Sequence, residues 1–183
     1  MRSSKFFAVV CAAVFFSAAA VFAADAPLVK NGTGERTKTL LGSVYTASLF
    51  VTPDLKGKSG NEIVDADKAM NVVLKVDTVL LSRKTFVDTV SEGFDVSASA
   101  GYATDKKQFF LGFFSSIEFK KGDVVTFEYK PGTGTSVTFK EKATGAVKLL
   151  GVVPSVQFKK ALFAIWIGPK PVQGSLKKGM LGQ

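Results

Sequence analysis

Histidine is absent from this chain, and its one cysteine, Cys11, falls among the first two dozen residues. The first absence removes the commonest general base and the commonest metal ligand together. With no His, and no Cys beyond residue 11, the body of the chain excludes zinc and copper sites, a cysteine nucleophile and a Ser-His-Asp triad. A carboxylate-only calcium site stays open, but no EF-hand spacing occurs. No disulfide can form, so packing alone must hold the fold. The chain also has no internal repeat, low-complexity stretch or linker.

What is present begins with an export signal. Arg2 and Lys5 precede an apolar, small-residue run from Phe6 to Phe22, and Val21-Phe22-Ala23 suits signal-peptide cleavage. The run approaches the length of a membrane span, but its Ala-rich end and cleavage site favour a removable leader. Val9-Val10 before Cys11 does not suit lipidation. We therefore expect a signal peptide over 1–23, a periplasmic or secreted location, and one domain over 24–183 with no stable membrane span. Loss of Arg2 and Lys5 lowers the net charge from +9 to +7. The lysines fall in ones and twos, as in Lys106-Lys107, Lys120-Lys121, Lys159-Lys160 and Lys177-Lys178, with no interleaved aromatic stripe. They read as solvated surface charge and not as a nucleic-acid interface.

The most informative stretch is Gly32 to Thr52. Residues from about Lys30 to Thr39 and from Ser43 to Val51 read as two strands, the second alternating Tyr45/Ala47/Leu49/Val51 with Val44/Thr46/Ser48/Phe50. The short gap at Leu40–Gly42 predicts an antiparallel hairpin. Centred between Leu40 and Leu41, it sets Arg36 opposite Tyr45, on one face. A one-residue slip would separate them. Sharing a face, a guanidinium and a phenol would offer two donors to one carboxylate beside an apolar pocket. The plainer alternative puts Arg36 on the surface and makes Tyr45 a structural anchor.

The remaining elements follow from caps and periodicity. Ser59 is expected to cap a helix from Asn61 to Lys68, and Asn71 to Val76 reads as a strand. Ser82 opens a helix with Phe86, Val90 and Phe94 on one stripe, weakened by Gly93, with a loop over Ser97 to Ala103. Thr104 or Asp105 is expected to cap a third helix carrying Phe109, Phe110, Phe113, Phe114 and Ile117, as core or as the wall of an acyl tunnel. Val124 to Lys130 and Ser136 to Lys140 form a hairpin, and Ala146 to Leu150 a short strand. A helix follows Pro154-Ser155, with Lys159-Lys160 outward, and ends at Gly168-Pro169. Ser175 to Leu181 closes the chain as a short helix or turn. This order predicts an α+β fold with one mostly antiparallel sheet covered by helices.

Taken in order, GTGERTK, VYTASLFV, SRKTFVDTVSEGF, KKGDVVTFEYKPGTGTSVTF and ALFAIWIGPKPV resemble the chalcone isomerase-like proteins, above all their exported bacterial branch. The resemblance implies an open-faced β-sandwich with a ligand cleft between sheet and helices. It implies the plant catalytic positions at Arg36, Tyr45 (a Thr in plant enzymes), Phe86 (Tyr) and Thr89 (Lys), and the substrate-binding Ser/Thr position near Ile165. Only the arginine survives, so the chain is not expected to be a competent chalcone isomerase. The family's non-catalytic branch binds fatty acids through an Arg and a Tyr on the first two strands, matching Arg36 and Tyr45. Three readings follow: a non-enzymatic binder of a fatty acid or similar amphiphile, needing no cofactor; an isomerase or intramolecular lyase using Tyr45 and Arg36; or a structural protein whose cleft is filled.

Overall fold

The computed structural model describes residues 27–39 and 42–183. The expected export signal, its cleavage site, Cys11 and the Leu40–Leu41 hairpin tip lie outside the described residues. The elements run β1 (Val29–Lys38), β2 (Gly42–Val51), α1 (Gly60–Asp65), β3 (Met70–Val76), α2 (Arg83–Ser99), α3 (Lys107–Gly112), β4 (Val124–Lys130), β5 (Gly134–Lys140), β6 (Val147–Val153), α4 (Val156–Ile167) and α5 (Gly174–Met180). The six strands form one sheet in chain order, with every neighbouring pair antiparallel. Alternation along them dictates which face is apolar. Tyr45, Ala47, Leu49 and Val51 are buried on β2, as are Val72, Leu74 and Val76 on β3 and Val125, Phe127 and Tyr129 on β4. The residues between them are only half-buried or exposed. The sheet is thus covered on one side by helices and open on the other, the α+β arrangement expected.

Helix α4 sits at the centre of the covering layer. From Phe158 to Ile167 only Lys160 escapes full burial, and a helix apolar all round must be enclosed. Helices α1 and α2 pack on it, while α5 lies against β1. The contact with β1 needs glycine, since a Cβ on Gly34 would come within 2.2 Å of the Leu176 carbonyl oxygen. Asn31 is an extra residue in the pairing of β1 with β2. Its side chain donates to the Met180 carbonyl and accepts from the Gly57 amide, so the bulge ties β1 to both flanking segments.

Several expectations need correction. Helix α1 begins as predicted, with Ser59 and Glu62 capping each other, but it ends at Asp65 instead of Lys68. The Val64 and Ala66 carbonyls at its end accept from Lys159 Nζ, at 2.8 and 2.5 Å. Lys159 is therefore fully buried on α4 and not outward. An ammonium there meets carbonyls that have no partner in their own helix, and its charge suits the negative helix end. Helix α2 runs through Gly93, as its stripe to Phe94 required, and on to Ser99, three residues into the stretch from Ser97 expected to be a loop. Gly93 lies against α4, where a Cβ would fall 2.8 Å from Ile165 Cγ2, and this tertiary contact outweighs the residue's poor propensity.

The third helix is shorter than predicted. It starts at Lys107 after Lys106, which supplies no side-chain cap. It gives way at Phe113 to tight turns bonded three residues apart. Phe110, Phe114 and Ile117 enter the core, whereas Phe109 is 56% exposed and Phe113 packs on Gly151. Phe110 and Phe114 stack with Phe86, Phe94, Phe127 and Phe158. They are core residues, and neither lines the cleft beside Tyr45. The last strand also runs later than expected, to Val153. Among the described residues no helix is long and apolar enough to cross a membrane.

Candidate functional site

The β1–β2 pairing brings Arg36 opposite Tyr45, as the hairpin argument requires, but by a different route. Nearer the tip, Thr37 faces Ser43 and Lys38 faces Gly42, so the tip is registered one residue away from the body of the hairpin. The difference is absorbed by Val44, an unpaired extra residue on β2. A bulge turns neighbouring side chains toward one side, and Val44 and Tyr45 are indeed both buried and both line the same cleft.

That cleft lies between the sheet and helices α2 and α4. Its walls are apolar: Val44 and Leu74 from the sheet, Leu81 from the loop before α2, Phe86 and Val90 from α2, and Ile165 from α4. Only one phenylalanine takes part. Polar atoms come from Arg36, Lys38 and Tyr45 on the hairpin and from Thr85 and Thr89 on α2. No carboxylate lines it among the described residues. All five positions carried over from the resemblance, Arg36, Tyr45, Phe86, Thr89 and Ile165, therefore surround one cleft. The enclosed room is about 30 Å³, enough for a water or two and well short of the several hundred cubic ångström usual for ligand sites. With its open mouth the cleft has about 510 Å³ free of atoms.

Tyr45 is held from α4, with its hydroxyl accepting from Trp166 Nε1 at 3.1 Å. The phenol proton is left free to donate. Burial raises the pKa of Tyr45, against the opposing effects of the Trp166 hydrogen bond and the Arg36 charge. The side chain is thus a neutral donor at physiological pH. Arg36 is held from the opposite side, where one terminal nitrogen donates to Gln173 Oε1 at 2.8 Å. Gln173 Oε1 also accepts from the Thr37 amide, and its Nε2 donates to Thr37 Oγ1 and Ser175 Oγ. Arg36 Nε is buried and meets no acceptor among the described residues. The residues lining the site therefore include a buried guanidinium N–H and a phenol O–H that meet no acceptor among the described residues, and a second cation in Lys38.

Gln173, Trp166 and Lys38 went unassigned in the sequence reading. Gln173 and Trp166 lie 137 and 121 residues from their partners, and no local pattern signals such a contact. Lys38 carried a usable signal, standing two residues beyond Arg36 on a strand and so on its face.

No curated protein matches the chain. Among solved structures it is similar to a fatty-acid binding protein of Arabidopsis thaliana, at 20% identity over 84% of this chain and 86% of that one, with a TM-score of 0.61. That likeness concerns the fold. The sequence profile described as chalcone isomerase-like matches residues 8–182. With nearly its whole length matched and its architecture that of an open sheet under helices, the chain belongs to the chalcone isomerase-like family.

Proposed function

We propose that this protein is a non-enzymatic binder of a fatty acid or similar amphiphilic carboxylate, exported to the periplasm or beyond the cell. The observation that carries the reading is the pair of unengaged donors, Arg36 Nε–H and Tyr45 O–H, over an apolar cleft. A carboxylate there accepts from both and also faces the Lys38 charge. A charge-assisted contact of this kind is worth about 1.5–3 kcal/mol. Each buried methylene of the tail adds up to ~0.8 kcal/mol. The tail thus supplies most of the affinity, and the headgroup sets orientation. The similar Arabidopsis protein being a fatty-acid binder agrees with this reading. Against catalysis stand the lining residues themselves: Phe86 and Thr89 supply neither the hydroxyl nor the cation of the plant enzymes' positions, and the lining offers no carboxylate or imidazole base.

The small enclosed room favours a second reading, in which the cleft stays filled by its own side chains and Arg36 and Tyr45 brace the sheet. The two are separated by extracting the purified protein with organic solvent and analysing the extract by mass spectrometry. The binder reading expects long-chain carboxylates from the wild type. It expects roughly ten- to hundredfold weaker retention by Arg36→Ala, with an unchanged melting temperature. Equal retention by both proteins would remove Arg36 as the headgroup contact, and no ligand with no uptake of added palmitate would establish the filled cleft.

A further inference from the structure

We propose that the end of the sheet bearing the cleft mouth docks on an anionic lipid bilayer. The loop between β3 and α2 projects two consecutive large apolar side chains into solvent, Val79 at 76% and Leu80 at 59% exposure. The loop is braced: the Leu80 amide donates to Thr78 Oγ1, and Ser82 caps the helix that follows. The apolar tip is thus held outward by local hydrogen bonds. Leu81, the next residue, turns inward and is shared by two cavities. One is the cleft of Arg36 and Tyr45. The other is a shallow groove of about 440 Å³, to which Val79, Leu80 and Phe119 also contribute. The exposed tip is therefore continuous with the cleft wall.

Charge around the tip fits a negatively charged surface. Lys38, Lys75, Arg83, Lys84, Lys120 and Lys121 lie on the strand ends, helix start and turn at this end of the sheet. The carboxylates near them are Asp77, Asp88, Glu118, Asp123 and Glu141; Asp123 is buried and accepts from the Lys120 and Lys142 amides, and Glu141 shares a groove with Lys120 and Lys148. Asp77 pairs with Lys75 and Asp88 with Lys84, while Glu118 sits in the groove beside Arg83. Lys38, Arg83, Lys120 and Lys121 have no carboxylate partner among the described residues, so the cationic excess is real after pairing. Arg83 and Lys84 also stand in the first turn of α2, which contains no acidic residue. Lys84 pairs with Asp88 and Arg83 donates to the Ser115 carbonyl, which fixes both cations beside the apolar tip. Apolar side chains that enter the headgroup layer, ringed by lysine and arginine, make the surface a bilayer with anionic lipid attracts.

Flotation with vesicles tests this, using the processed protein purified after export. Wild type is expected to float with phosphatidylcholine vesicles containing one part in three phosphatidylglycerol, weakly with pure phosphatidylcholine, and less as salt rises. The double variant Val79→Asp/Leu80→Asp is expected to lose at least tenfold in partitioning while keeping its melting temperature and its uptake of palmitate, since both side chains are already in solvent. Lys120→Gln/Lys121→Gln should lose up to about 25-fold, each cation near such a surface being worth roughly fivefold. Arg36→Ala should float like wild type, so failure of the carboxylate site and failure of docking are told apart. Flotation of the Val79/Leu80 double variant equal to wild type overturns the proposal. So does a wild type that stays unbound, including one whose tip instead pairs two copies of the chain.

Discussion

Tyr45 and Arg36 share a cleft but differ in what else depends on them. Tyr45 is the acceptor for the indole of a buried tryptophan, so Tyr45→Phe leaves Trp166 Nε1 with no partner. We expect it to destabilise the protein by about 1–3 kcal/mol, read as a lower urea midpoint, and to weaken carboxylate binding as well. Arg36→Ala should change binding alone, because Gln173 keeps its bonds to Thr37 and Ser175. Lys159 is the other costly residue. Burial lowers its pKa to about 8, helped by Lys160 and opposed by Asp67 and Asp65. Between that value and lysine's ordinary 10.5, the unfolded chain holds a proton the folded chain has released, so stability must rise with pH across the window. The rise amounts to about 3 kcal/mol at most. It reverses as pH climbs past about 10, where Tyr45 and Tyr129, both raised by burial, hold protons in the folded state that the unfolded chain gives up. Urea midpoints measured from pH 7.5 to 9.5 should climb more steeply for wild type than for Lys159→Met, in which Lys177, also lowered by burial, still contributes; parallel profiles would show that Lys159 is not the group responsible.

At the scale of elements, α4 organises the helical layer and its neighbours are admitted by small residues. Gly93 lets α2 approach Ile165. By helix propensity, Gly93→Ala would stabilise α2 by about 1 kcal/mol. The added methyl, however, lands 2.8 Å from Ile165 Cγ2, and overpacking of this kind costs about 1–3 kcal/mol. We expect a net loss of stability, measured by thermal or urea unfolding, together with altered ligand uptake, because Ile165 is also a cleft wall. Gly112, at the end of α3, meets nothing within 4 Å, so Gly112→Ala should be neutral or stabilising by up to about 1 kcal/mol. If both alanines stabilised the protein, propensity and not packing would govern α2. The sequence pattern placed Phe86, Val90 and Phe94 on the buried stripe correctly, yet treated Gly93 as a weakness, because its neighbour Ile165 is on another helix.

For the molecule as a whole, the proposed binding would be coupled to stability through the narrowness of the cleft. About 30 Å³ of enclosed room means that an acyl chain enters only as side chains of α2 and α4 move apart from the sheet. Part of the tail's transfer free energy is then spent on that opening, and affinity falls below the sum for its methylenes. The folded state nonetheless gains whatever net binding remains. At a free ligand concentration one hundred times the dissociation constant the gain is about 2.7 kcal/mol, or roughly 5–10 °C in melting temperature for a chain of this size. Palmitate should produce that shift in wild type and a much smaller one in Arg36→Ala. A hydrocarbon without a carboxylate that shifts both equally would show that the headgroup contact adds nothing.

Alternation, caps and turn residues are local, and where local energies decide, the sequence alone sufficed. The strands, the Ser59 and Ser82 caps, the α+β order and the facing of Arg36 and Tyr45 all rest on interactions between residues near one another in the chain or across a tight hairpin. Burial of Lys159, the close approach of Gly93 to α4, the bulge at Val44 and the hold of Gln173 and Trp166 on Arg36 and Tyr45 came only with the folded chain. Each depends on a partner or a packing surface that no window of sequence contains: Lys159 meets carbonyls more than ninety residues away, and Gly93 meets α4. The size of the cleft belongs with these, because free volume is what many packed side chains leave between them, whereas the donors at its mouth follow from two neighbouring strands.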